Sequence, residues 1–248
     1  MTHGTLLAEG KTKRIYAHPV AADLAMIVSK DDITAGDGAR RHLIAGKGQI
    51  SGRTTANNFA LLRRHHIPTH FVAFGTHDDT MIVTRCDMIP LEVVTRRFAT
   101  GSYLKRHPHI SEGQRFDPLI TEFFYKDDAN HDPLMSITAL ISAKIADEHT
   151  LLQMESMAQN VFSILEIAWA THAITLVDLK IEFGWTAAGT LVVADVIDND
   201  SWRIWQGGTK TAMLDKQVYR NMAHVDDAGL AHIKANYETV MRLTDTWR

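Results

Sequence analysis

The sequence predicts an α+β fold, with antiparallel strands first and amphipathic helices later, and three observations predict it. Charged and apolar residues alternate in LVDLKIEFG (residues 176–184) with the period of two that a strand imposes. IPTHFVAFG and TMIVTRC read as further short strands, joined at residues 77–79. Residues 137–170 carry helical periodicity as two helices or one broken one, and LDKQVYRNMA and AGLAHIKANYETVMRLTDTW close the chain as two more amphipathic helices.

Composition narrows the function. A chain of 248 residues with 45% hydrophobic content buries a real core, as one large domain or two small lobes. A net charge of -3 makes no electrostatic case for nucleic acid or a membrane surface, so the expected partners are small molecules. Cys86 is the only cysteine, which excludes an intrachain disulfide and suits a reducing compartment. MTHGTLLAEGKTKR lacks the apolar core of a signal peptide, and no run approaches membrane-spanning length; a cytoplasmic location is expected. The 14 histidines do not build a zinc site on paper, because His65-His66 and His107-Pro108-His109 lack companions at ligand spacing.

Taken in order, LLAEGKTKRIYAH offers Gly10 followed by Lys11 and Lys13, which share a side if the segment is a strand. It is not a Walker A loop, since Thr5 stands where that motif needs glycine. Two lysines over a polyphosphate is one reading; a solvated edge strand protected by charge is the other. A polar loop follows around Ala35, Gly36, Asp37 and Gly38, and residues 50–65 read as a helix with Ser51 as N-cap. In DMIPLEVVTRRFATGSYLKR, Pro90 argues against a central strand and for a crossing between lobes. Arg96, Arg97, Lys105, Arg106 and the Gly101-Ser102 pair offer guanidinium forks and a hydroxyl to a phosphate, or a solvated basic surface. FFYKDDANHDPLMS, with Lys126 and His131, reads as a functional loop or a helix cap.

The chemistry is expected in residues 176–205, read as a hairpin. Asp178, Lys180 and Glu182 share one face of the first strand, and the second, residues 191–197, is apolar except for Asp195. A two-residue turn at Ala188 and Gly189 would set Glu182 opposite Asp195. Facing carboxylates repel unless a proton or cation sits between them, and Mg²⁺ takes one or two carboxylates while filling its other positions with water and phosphate oxygens. The competing reading is a charged outer face of an antiparallel strand.

Together these stretches resemble a known family. IPLEVVTRRFATGS and LVDLKIEFG match two signature motifs of the phosphoribosylaminoimidazole-succinocarboxamide synthase (SAICAR synthetase) family, and EGKTKRIY with KDDITAGDGAR matches its N-terminal strands. The similarity runs from about Leu7 to the last helix, and ADVIDNDSWRIW and FFYKDDANHDP look closest to the synthetase half of the animal bifunctional enzyme. Val196 follows Asp195 where many bacterial members have glutamate; animal-type members share the valine. The resemblance implies a two-lobed fold related to protein kinases, residues 1–88 forming a mainly β nucleotide-phosphate lobe and residues 89–248 an α/β catalytic lobe, with the ATP cleft between. It implies an ATP-dependent ligase that joins 5-amino-1-(5-phospho-D-ribosyl)imidazole-4-carboxylate (CAIR) to L-aspartate through an acyl phosphate, with Mg²⁺. Gly10, Lys11, Lys13, Met88 and Glu92 are then expected at ATP, Arg96, Ser102 and Arg203 at CAIR, and Glu182 and Asp195 at the metal. Asp178 and Lys180 face the reacting groups, and Lys105, Lys126 and His131 are lesser candidates. The exposed C-terminal helices are compatible with a homo-oligomer.

Two other classes compete. VDLKIE resembles a kinase catalytic loop, but a kinase-type phosphotransferase would need a GxGxxG loop, a DFG and a catalytic-loop asparagine that this chain lacks. A non-catalytic sensor of ATP or a purine intermediate would bind ATP and leave it intact.

Overall fold

The computed structural model describes residues 3–36, 38–75, 77 and 79–247. Asp37 of the expected polar loop and Asp78 of the expected strand junction lie outside the described residues. In chain order the elements are β1 (Leu6–Glu9), β2 (Lys13–Ala17), β3 (Leu24–Ser29), β4 (Asp32–Ala35), β5 (Arg40–Leu43), α1 (Lys47–Arg64), β6 (Phe71–Phe74), β7 (Thr80–Thr84) and β8 (Cys86–Phe98). They continue with α2 (Ser102–Arg106), β9 (Arg115–Tyr125), β10 (Leu134–Met135), α3 (Ile137–Ser142), α4 (Glu148–Ala170), β11 (Ile174–Thr186), β12 (Leu191–Ala194), β13 (Trp202–Gln206), α5 (Gln217–Asn221) and α6 (Asp227–Thr244).

The chain divides into two compact units that interleave along the sequence. The first comprises Met1–Ile89, Glu182–Ser201 and Leu214–Arg248, the second Pro90–Ile181 and Trp202–Met213. The return of the C-terminal segment has a simple cause. One apolar cluster of the first unit takes Ile33, Ile44 and Ile50 from the N-terminal part and Tyr219, Ile233 and Tyr237 from the last helices, so the C-terminal segment completes a core that the N-terminal part begins.

In the first unit, five strands pair antiparallel in the order β1-β2-β3-β7-β6, and β4 pairs with β5. Helix α1 begins earlier than expected. Its N-cap is Gly46, at φ +83°, and Ser51 is buried within the helix. Asp31 supplies the cap from upstream, one carboxylate oxygen accepting from Gly46 N–H at 3.1 Å and the other from Gly48 N–H at 2.8 Å.

In the second unit the sheet runs β10-β9-β8-β11, with β13 also on β11. Pro90 does not break β8, which runs for 13 residues. The pairing with β9 starts one residue later, at Leu91 opposite Tyr125, while the Pro90 carbonyl accepts from Lys126 N–H at 3.0 Å, so the missing proline N–H leaves no gap in the ladder. Residues 137–170 form the two helices α3 and α4, capped by Ser136 and Asp147. Leu151, Met154, Ala158, Val161, Phe162, Leu165 and Trp169 form the buried stripe of α4, spaced three and four apart. Arg97 ties β8 to that helix through two bonds to Glu166, at 2.8 and 2.9 Å. Among the described residues no helix is long and apolar enough to cross a membrane.

Candidate active site

The expected residues fall into two groups, one in each unit. In the first, Gly10 sits in the β1–β2 turn and donates its N–H to the Lys13 carbonyl at 2.9 Å. Lys30 stiffens the turn, its Nζ donating to Glu9 Oε1 at 2.9 Å and to the Gly10 carbonyl at 3.2 Å. That bond is the chief reason the Glu9 carboxyl is held below its usual range. Lys11 is exposed at the turn, while the Nζ of half-buried Lys13 pairs with Asp195 Oδ1.

The β11–β12 register differs from expectation by one residue: Glu182 stands opposite Ala194, with Asp195 one step beyond the strand. The loop is longer than two residues. Thr186 N–H bonds the Thr190 carbonyl, leaving 187–189 as a three-residue connection with Gly189 at φ +75°. Asp195 then leaves the ladder in the left-handed region, at φ +64°, where aspartate is among the few residues tolerated. His70 braces that turn, its ring Nε2 donating to the Asp195 carbonyl at 3.1 Å. Burial, with a smaller contribution from the Lys13 charge, pushes His70 down to about 3, so the ring is neutral at physiological pH.

Glu182 is only 4% exposed and Asp195 9%, as is Asp178 at 4% in the second unit, which rules out the solvated-face reading for these carboxylates. Close packing continues along β11: a Cβ at Gly184 would meet Cys86 Cβ at 2.8 Å and the Asp87 carbonyl at 3.2 Å. Met88, at the expected adenine crossing, is 46% exposed.

The second group is an alternating ladder of charge. Arg203 stands directly opposite Asp178 in the β11–β13 register, and its Nη1 donates to Asp178 Oδ2. Arg96 Nη1 donates to the same oxygen at 2.7 Å. Arg96 Nε donates to Glu122 Oε2 at 2.6 Å, and Arg106 Nη2 donates to Glu122 Oε1. The order is therefore Arg106, Glu122, Arg96, Asp178, Arg203. Lys180 Nζ donates to Glu92 Oε1 at 2.9 Å.

Gly101 lets the ladder close. Its φ is +58°, and an added Cβ would lie 2.6 Å from Arg203 Nη2. Ser102, the first residue of α2, and Lys105 are exposed. Lys126 and His131 sit in the β9–β10 connection, His131 at φ +55°. Of the basic cluster read from sequence, Arg97 belongs to the framework: its Nη1 donates to the Phe116 carbonyl at 3.0 Å, and the bond to Glu166 is the main reason its pKa is raised.

Glu122 was not singled out from the sequence. Its signal is the one carboxylate in LITEFFY (residues 119–125), opposite Val94 and hence on the same face as Arg96 two residues along. His70 was also missed, and carries no comparable signal.

These motifs and strands are those of a family. The SAICAR synthetase model matches residues 6–235, and the chain belongs to the SAICAR synthetase family. The phosphoribosylaminoimidazole-succinocarboxamide synthase of Roseiflexus sp. (strain RS-1) is 58% identical over 247 residues, which is 100% of this chain and 99% of that one. The animal-type resemblance is present but lower: the bifunctional carboxylase/synthetase of Drosophila melanogaster is 45% identical over 242 residues, 94% of this chain and 56% of that one. Among solved structures, the phosphoribosylaminoimidazole-succinocarboxamide synthase of Ehrlichia chaffeensis has a TM-score of 0.87 and 28% identity, covering 97% of this chain and 98% of that one. A SAICAR synthetase in complex with ADP has a TM-score of 0.83 and 34% identity, covering 94% and 97%.

Proposed function

We propose that the protein is an ATP-dependent ligase that joins CAIR to L-aspartate, yielding SAICAR, ADP and phosphate in de novo purine synthesis. The observation that carries this reading is the full-length match to synthases of that name, at 58% identity, with the charged run of β11 buried rather than solvated. The ADP held by one relative supports ATP as co-substrate.

A carboxylate is a poor electrophile, so the γ-phosphoryl of ATP first passes to a CAIR carboxylate oxygen, releasing ADP. The aspartate amine then attacks the acyl carbon, the carbon–oxygen bond to phosphate breaks, and the nitrogen loses a proton. Lys11 and Lys13 balance the ATP phosphates as point charges, Gly10 brings the turn close, and Met88 and Glu92 lie along the adenine end. Arg96, Ser102 and Arg203 take the CAIR phosphate. Lys180 stabilises charge on the transferring phosphoryl or acyl oxygen. Asp178 Oδ2 already accepts from two guanidiniums, which leaves Oδ1 to orient the nucleophile or take its proton. Lys105, Lys126 and His131 keep secondary roles toward substrate anions.

Glu182 and Asp195 fit Mg²⁺. No group of three or more potential ligands gathers among the described residues, but this ion needs only one or two carboxylates when phosphates supply the rest. The Lys13 ammonium on Asp195 marks that oxygen as a cation acceptor. When bound, Mg²⁺ would neutralise phosphate charge. The reading includes the relationship to kinases, a nucleotide-phosphate role for residues 1–88, a catalytic role for residues 89–248, and a cytoplasmic location.

The test is ADP release with ATP, Mg²⁺ and CAIR, run with and without L-aspartate and paired with mass detection of product. Aspartate-dependent ADP release matched one to one by SAICAR supports the ligase. ATP binding without ADP formation under any combination would instead make the protein a sensor.

A further inference from the structure

The charge ladder of the second unit ends in a group with unused capacity. Three guanidiniums, Arg96, Arg106 and Arg203, alternate with two carboxylates, Glu122 and Asp178, so the ladder carries one positive charge in surplus. Arg96, at its centre, is 3% exposed and bonded to both carboxylates. Arg106 differs. One Nη reaches Glu122, the guanidinium lies 5.4 Å above the Phe124 ring, and its side chain remains 28% exposed. Its Nε–H, however, is buried without an acceptor.

A buried donor without an acceptor is costly, and more so on a charged group. The fork of a guanidinium matches the two oxygens of a carboxylate. We infer that Arg106 binds a carboxylate of the amino-acid co-substrate, and that Glu122 is the positioning residue that holds it. The inference rests on the ligase reading above. In that reading Arg96, Ser102 and Arg203 are committed to the ribotide phosphate, while the two carboxylates of aspartate have no assigned guanidinium. Arg106 is the guanidinium of the ladder that remains. Glu122 divides its oxygens, Oε2 to Arg96 and Oε1 to Arg106, which fixes the spacing between the two anion sites.

Steady-state kinetics of the full chain test this, varying ATP, CAIR and aspartate in turn for the unmodified protein and for Arg106→Lys, Arg106→Gln and Glu122→Gln. Loss of a two-pronged charged contact is expected to raise KM for aspartate about tenfold or more in Arg106→Gln. Arg106→Lys, which keeps charge but not the fork, should recover part of that loss. In the two Arg106 variants KM for ATP and CAIR should stay within about twofold, whereas Glu122→Gln should raise KM for aspartate by less than Arg106→Gln and raise KM for CAIR with it, because Glu122 also holds Arg96. Thermal unfolding of each variant identifies any that fails to fold, and the lysine and Glu122 variants then decide. A rise in KM for CAIR instead, or a fall in kcat with every KM unchanged, or no change at all, overturns the assignment. If the unmodified protein releases no ADP in response to aspartate, the ligase reading itself fails and the inference falls with it.

Discussion

Arg96 and Arg97 are neighbours in sequence with opposite employment, because a strand sends successive side chains to opposite faces. Arg97 goes to Glu166 on α4 and holds the framework; Arg96 goes to Asp178 and Glu122 and joins the ladder. The basic cluster was legible as residues, but which of them serve the site depends on partners 26 to 82 residues away. Asp178, Lys180 and Glu182 were legible from alternation alone. Glu122 was not, because one carboxylate in a strand reads equally well as an outward-facing residue. Lys180→Met should lower kcat about 100-fold or more while ATP affinity stays within about threefold, since the ammonium acts on charge that develops during the reaction. Transient kinetics beside equilibrium ATP binding checks this, and equal losses in both would refute the role. Gly101→Ala should destabilise the fold by about 1 kcal/mol or more through its positive φ and displace Arg203, raising KM for CAIR. Wild-type CAIR kinetics in that variant would remove Arg203 from the site.

At the scale of elements, strand and helix identity was readable and boundaries were less so, for physical reasons. The period of two in residues 176–184 placed β11, but register depends on loop length, and a three-residue loop with Gly189 in the left-handed region slips the pairing by one. Ser51 looks like an N-cap in sequence, yet Asp31 caps α1 from outside the local window. Asp31→Ala should therefore cost about 1–2 kcal/mol, measured by denaturant unfolding, whereas a stability unchanged from wild type would deny the cap its role. Helix α4 allows a test of sign. Asp147 accepts from Thr150 N–H at 2.7 Å, and this bond is the main reason its pKa lies below the ordinary 3.8. A depressed folded-state pKa contributes stability above the unfolded value that is lost as pH falls through the folded one. Asp147→Asn keeps an acceptor but not the charge, so it should be less stable than wild type at neutral pH and converge with it in acid. A difference that persists unchanged in acid would assign the effect to something other than charge.

For the whole molecule, composition and motif agreed on an α+β enzyme of small anionic substrates, and family membership was legible because its motifs are the chemistry-bearing strands themselves. The interleaving of the two units was not, since it depends on Tyr219, Ile233 and Tyr237 returning to a core begun by Ile33 and Ile44, a long-range pairing that no local pattern announces. In the proposed function MgATP falls to Lys13, Glu182 and Asp195 of the first unit, and the ribotide to Arg96, Ser102 and Arg203 of the second. Titration calorimetry of MgATP and of CAIR, each against the unmodified protein, Lys13→Met and Arg203→Met, tests that division most directly. Lys13→Met is expected to lose affinity for MgATP by about tenfold or more with CAIR binding intact, and Arg203→Met to do the reverse. Variants that each lose both ligands equally, or neither, would contradict it.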